Sequence, residues 1–156
     1  MPDLFLSVKL IHILAVILMV GATILNGVIH AQARSSTSIE AAALLRIVTR
    51  INSVFMAPSL LVLPASGLWM MGLLGYDWWT GWLVASIALS LALLVAFVVG
   101  DRVERKLHDI ATEAAQDGGA ALPDRYEATF RAAAPIGIAA LIMSFASLFL
   151  MVFKPF

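Results

Sequence analysis

The stretch KLIHILAVILMVGATILNGVIH, residues 9–30, decides how this chain is read. One charge, Lys9, opens it, and no Asp, Glu, Lys or Arg follows before Arg34. A hydrocarbon core of about 30 Å takes ~20 helical residues to cross, and the run is long enough to do so. Its polar residues are not scattered. At about 100° per residue, His12 and His30 fall on one line along the helix, Met19, Thr23 and Asn26 lie within about 40° of it, and Lys9 about 60° away. Leu, Ile, Val and Ala fill the other faces. Polar side chains are costly in lipid, so this stripe faces the interior of a bundle.

Working outward, four apolar stretches at roughly 10–29, 51–74, 82–100 and 132–153 predict spanning helices over about 6–29, 48–74, 82–100 and 130–153. Helices satisfy their own backbone hydrogen bonds in lipid, and no alternation of period two suggests a barrel. The composition agrees, with 62% hydrophobic and 13% charged residues. So small a soluble domain could not bury that much apolar surface. The expected fold is an all-α membrane protein, a four-transmembrane-helix bundle forming one domain over residues 1–156. Ala31-Gln32-Ala33 has the form of a signal-peptidase site, but the run before it exceeds a signal h-region and Asp3 replaces a basic start, so the helix is read as retained.

Eight of the ten basic residues (Arg34, Arg46, Arg50, Arg102, Arg105, Lys106, Arg125 and Arg131) fall on one side of such a bundle. Only Lys9 and Lys154 fall on the other. By the positive-inside rule the eight are cytoplasmic, both termini lie outside, and the location is the bacterial inner (plasma) membrane. All four Trp lie in residues 69–82, as an outer aromatic belt requires. On the cytoplasmic side, Thr37-x-x-Glu40 has the capping-box form. After Gly100, the residues Val103, Leu107, Ile110, Ala111 and Ala114 predict an amphipathic cytoplasmic helix between spans three and four, lying at the interface or contacting a subunit. Asp117-Gly118-Gly119 ends it, and Pro123-Asp124 starts the next helix.

Several chemistries are excluded. There is no Cys, hence no disulfide framework, thiolate metal site or cysteine nucleophile. Ten basic and ten acidic residues cancel, which argues against nucleic acid. Phosphate-binding loops and hydrolase motifs are missing. Asp101 ends span three and the other acidic residues read as terminal or loop positions, so a carboxylate-driven proton pump is not expected. What remains is a histidine in the membrane. Counting depth along the spans places Ser66, Ser90 and Ser144 level with His12, a ligand whose second nitrogen a hydroxyl would hold. His30 reads as a second candidate metal ligand near the inner interface, some 27 Å from His12 along the helix and so part of a separate site. His108 reads as a solvated residue. Met70, Met71 and Met151 gather near the outer face, where thioethers suit Cu(I). Pro58, Pro64 and Pro135 bend or open the helices that carry them.

Lys9-Leu10-Ile11-His12-Ile13-Leu14-Ala15 with Gly21, then Ala57-Pro58-Ser59-Leu60 through Ser66-Gly67-Leu68-Trp69, then the closing Met151-Val152-Phe153-Lys154-Pro155-Phe156, together resemble a group of small bacterial membrane families. They are an uncharacterised "predicted integral membrane protein" family of unknown function, the HemJ-type protoporphyrinogen oxidases and, for the first helix alone, the CopD-type copper-resistance membrane domains. The resemblance implies a four-span bundle with an outward amino terminus, and it implies haem b linked to His12. It departs from the HemJ type after Gly81-Trp82, where Leu83, Val84, Ala85 and Ser86 include no lysine. The expected function is therefore haem b binding for electron transfer or tetrapyrrole handling. Candidate cofactor contacts are His12, Lys9, Met19, Ser66 and Ser144; the candidate metal ligands are His12 and His30. The alternatives are a cofactor-free accessory subunit of a larger membrane complex and a copper-handling protein. The partners are the lipid bilayer and either a second copy or a larger complex.

Overall fold

The computed structural model describes residues 2–155. Helix α1 runs Pro2–Arg34, and α2 Ser38–Ile51 passes without a break through a π-helical turn, Asn52–Met56, into α3 Ala57–Leu74. Helix α4 runs Gly81–Gln116 and α5 Asp124–Phe153. No strand occurs among the described residues. Four helical rods are long and apolar enough to cross a membrane. Leu14, Ile17, Leu61, Leu91, Val95, Ile138 and Ile142 are exposed along them, a surface that only lipid would cover without cost.

Local signals set the ends. Thr37 and Glu40 form the expected reciprocal capping box, the Thr37 backbone N–H donating to Glu40 at 3.0 Å. Gly118, at φ +74, lets the chain leave α4, and Pro123 precedes α5 as the sequence predicts. The π turn has a clear cause. Pro58 lacks an N–H and its ring crowds the carbonyl four residues back, so the ladder widens and Ala57 N–H reaches five residues back to Asn52 C=O. The extra residue aims Asn52 into the bundle, where it is 1% exposed.

The amphipathic stretch differs from expectation. Gly100 does not end a helix, and residues 101–116 continue α4 as one straight extension. At about 1.5 Å per residue, the 36 residues of α4 outrun a membrane core by some 20 Å. Much of its apolar face packs within the chain. Leu107, Ile110 and Ala111 pack with Ala33, Ala41, Leu45 and Tyr126 into the most deeply buried cluster of the molecule. That lobe caps the basic end of the bundle. A smaller cluster (Ala15, Met19, Leu60, Leu63 and Leu93) ties α1, α3 and α4 at mid-height, and Met71, Trp82 and Leu83 close the end that carries the termini. Trp82 is thus a core residue, whereas Trp69, Trp78 and Trp79 are exposed.

Candidate functional site

The polar stripe of α1 does turn inward. His12, Met19 and Asn26 are buried, and Thr23 and His30 are half-buried. Lys9 is exposed and has no side-chain partner among the described residues. Thr23 returns its hydroxyl to Met19 C=O at 2.9 Å. Two separate polar places result, one around His12 and one around Asn26 and His30.

At His12, Nδ1 lies 2.8 Å from Ser66 Oγ, and Nε2 lies 3.3 Å from Met151 Sδ. The proton positions follow from the partners. Ser66 Oγ is 2.6 Å from Val62 C=O, which can only accept, so the single hydroxyl proton goes there. The Ser66 oxygen then accepts from His12 Nδ1–H. In the neutral ring, Nε2 keeps a lone pair and points it at a thioether that has none but lone pairs to offer. The surroundings hold both groups in place: Gly67 leaves room for the ring, since a Cβ there would stand 3.4 Å from His12 Cε1. Beside the pair is a void of about 20 Å³, lined in part by Met19, Ser90, Ser144 and Met151. Of the hydroxyls read as level with His12, only Ser66 bonds it. Ser90 and Ser144 bond back to Ser86 and Ala140 in their own helices. Met71 packs with Leu83 and Trp82 at the bundle end, which leaves Met151 as the methionine bonded to His12.

Toward the basic end, α1, α4 and α5 line a cavity of about 680 Å³ that opens to the surface of the bundle beside Val28 and Ile138. Its walls are mostly apolar, and at one end lies a hydrogen-bonded chain. Asn26 Nδ2 donates to Asn52 Oδ1 at 2.7 Å. Asn52 Nδ2 donates to Asp101 Oδ1 at 3.2 Å and to Glu104 Oε2. His30 Nε2 meets Glu104 Oε1 at 3.2 Å, and Arg105 pairs with Asp101 at 2.8 Å. Asn52 and Glu104 were not legible as site residues. A polar residue inside the second apolar run was the available signal for Asn52. Glu104 read as a loop carboxylate because Gly100 read as a helix end. His30 is brought to one acidic residue, Glu104, and among the described residues no group of three His, Cys, Asp or Glu side chains could hold a metal ion. His108 lies 3.6 Å from Asp109 on the far side of α4, away from both places.

No curated protein and no solved structure matches the chain. The family model described as a predicted integral membrane protein, DUF2269, matches residues 6–155, nearly the whole length and both polar places, and the chain belongs to that family.

Proposed function

We propose that this integral membrane protein is a metal-binding protein whose centre forms between His12 Nε2 and Met151 Sδ, and that the ion is a soft monovalent one, Cu(I). One observation carries the reading: His12 Nε2 from α1 and Met151 Sδ from α5 face each other at 3.3 Å, while Ser66 holds the ring by its other nitrogen. Metal-binding histidines are held in this way, with the second N–H given to a fixed acceptor. Imidazole with thioether in a low-dielectric site favours Cu(I) over harder ions. The competing arrangement is a neutral ring that donates Nε2–H to the sulfur and accepts from Ser66 at Nδ1; it leaves Ser66 Oγ 2.6 Å from Val62 C=O with no proton between the two oxygens. The void of about 20 Å³ that Met151 lines is far smaller than organic cofactor pockets, which take roughly 300–1,000 Å³.

Haem b on His12 is the second reading. It is favoured by the first-helix resemblance and by the proximity of the 680 Å³ cavity, which shares Met19, Leu60, Leu93 and Ser144 with the small void. A macrocycle on His12 needs those residues to move aside. Haem iron also accepts a His/Met pair of axial ligands, so the donor set fits where the space does not. The basic residues gathered at one end favour a bacterial inner membrane location with both termini outside.

Metal analysis and an absorption spectrum of the detergent-purified protein separate the readings. After loading with Cu(I) under reductant, about one copper per chain should remain, and it should be lost in His12→Ala and in the volume-conserving Met151→Leu. Equal copper in both variants and the parent overturns the assignment. A Soret band that His12→Ala abolishes replaces copper by haem.

A further inference from the structure

The cavity at the basic end has a direction written into its hydrogen bonds. Ionised Asp101 and Glu104 can only accept, so the Asn52 amide must turn its NH₂ toward them and its oxygen away. That oxygen requires a donor, so Asn26 must turn its own NH₂ toward Asn52. The relay ends on Asn26 Oδ1. This atom is buried and has no partner among the described residues, on a side chain only 5% exposed that lines the cavity. His30 ends a second branch in the same way. With Nε2 on Glu104, its Nδ1 is buried and has no partner among the described residues. A lone buried acceptor costs roughly 1–3 kcal/mol, so the site is short of donors. Charge is unevenly matched: Asp101 pairs with the guanidinium of Arg105, whereas the partners of Glu104 are His30 and the uncharged Asn52.

The rest of the cavity is apolar. From the polar end it extends along Phe97 and Leu93 to Met19 and Ser144 at mid-height. Along α1 the step from His30 to Met19 is about 17 Å at ~1.5 Å per residue. A molecule filling it has its head at the level of the basic interface and its body toward the middle of the bilayer.

We propose that this cavity binds a single amphiphile bearing a protonated amine, with N–H groups donated to Asn26 Oδ1 beside Glu104 and an apolar body laid along Phe97 and Leu93. The site is distinct from the His12 centre and stands whether or not a metal binds there.

Dodecylamine is the probe, titrated by calorimetry into the full-length protein in phosphatidylcholine nanodiscs. It should bind saturably at about one per chain. Dodecyltrimethylammonium keeps the charge and lacks N–H groups, and dodecanoate reverses the charge; each should bind at least tenfold more weakly. Asn26→Leu and Glu104→Gln should weaken dodecylamine by a similar factor. Gly137→Leu guards against a folding artefact. Gly137 lines the cavity, and a Cβ there meets nothing within 4 Å, so a side chain can start from this position. The substitution should abolish binding while leaving the melting temperature unchanged. Equal affinity for the amine and the trimethylammonium overturns the proposal, as does undiminished binding in Gly137→Leu. The source is read in mixed nanodiscs by native mass spectrometry. One retained phosphatidylethanolamine per chain assigns the head to a membrane lipid, and amine binding without lipid retention assigns it to a free amphiphilic amine.

Discussion

Ser66 contributes the one oxygen that holds His12 by Nδ1. Its hydroxyl is committed to Val62 C=O, so it accepts from the ring and fixes the tautomer with Nε2 bare. Ser66→Ala removes that acceptor and leaves Nδ1–H unpaired in a buried place. Loss of such a supporting hydrogen bond costs roughly 10–100-fold in metal affinity. A competition titration of Cu(I) against a chromophoric chelator should therefore show a drop of that size in Ser66→Ala, with the fold intact by circular dichroism. Unchanged affinity means that the tautomer is not set by Ser66. Gly67 acts by its size alone. Gly67→Ala brings a methyl to ordinary contact at 3.4 Å from His12, while Gly67→Val has no room beside the ring and should displace it, lowering copper occupancy below that of Gly67→Ala in the same titration.

Between elements, stability is unevenly distributed. Within lipid the helices gain little from excluding water from one another, because the surrounding tails are as apolar as their side chains. The lobe at the basic end faces water and works like a soluble core, with Leu45 and Leu107 at 0% and 1% exposure. Leu45→Ala and Leu107→Ala should each cost about 2–5 kcal/mol, read as a fall in melting temperature in detergent. Leu14→Ala, on a lipid-facing surface, should change it little. Equal effects at the three positions contradict a lobe-centred stability. Thr37→Ala should cost about 1 kcal/mol through the lost cap. These elements were largely legible: apolar run length gave the spans, and Thr37, Gly118 and Pro123 gave the ends. The π turn was not, since Pro58 announces a bend but not whether the ladder kinks or widens. That difference decides where Asn52 points. For the same reason, α4 was cut at Gly100: one glycine weakens a helix by about 1 kcal/mol, which the packing of Leu107 and Ile110 outweighs.

For the whole molecule, the candidate site was legible from one helix and hidden where it depended on several. A 3.6-residue period places His12, Met19, Asn26 and His30 on one face of α1 with no knowledge of the others. Met151 is 139 positions from His12, and Asn52 and Glu104 are joined through a turn and a helix extension that no local pattern announces. Charge is the remaining property that acts at this scale. The lobe and its flanks carry Arg34, Arg46, Arg50, Arg102, Arg105, Lys106, Arg125 and Arg131, and the other end carries only Lys9 and Lys154. Segments rich in Lys and Arg stay in the cytoplasm, so the lobe is expected inside and the 75–81 connection outside. The chain has no native cysteine, so single introduced thiols report without background. Ser35→Cys and Ala121→Cys lie on exposed connections at the lobe, and Trp79→Cys at the opposite end. In intact spheroplasts an impermeant maleimide should label Trp79→Cys, and should reach Ser35→Cys and Ala121→Cys only after lysis. The inverse pattern would turn the bundle over. It would put the amine cavity at the outer leaflet and the His12 centre nearer the cytoplasm, and so change which compartment supplies each ligand.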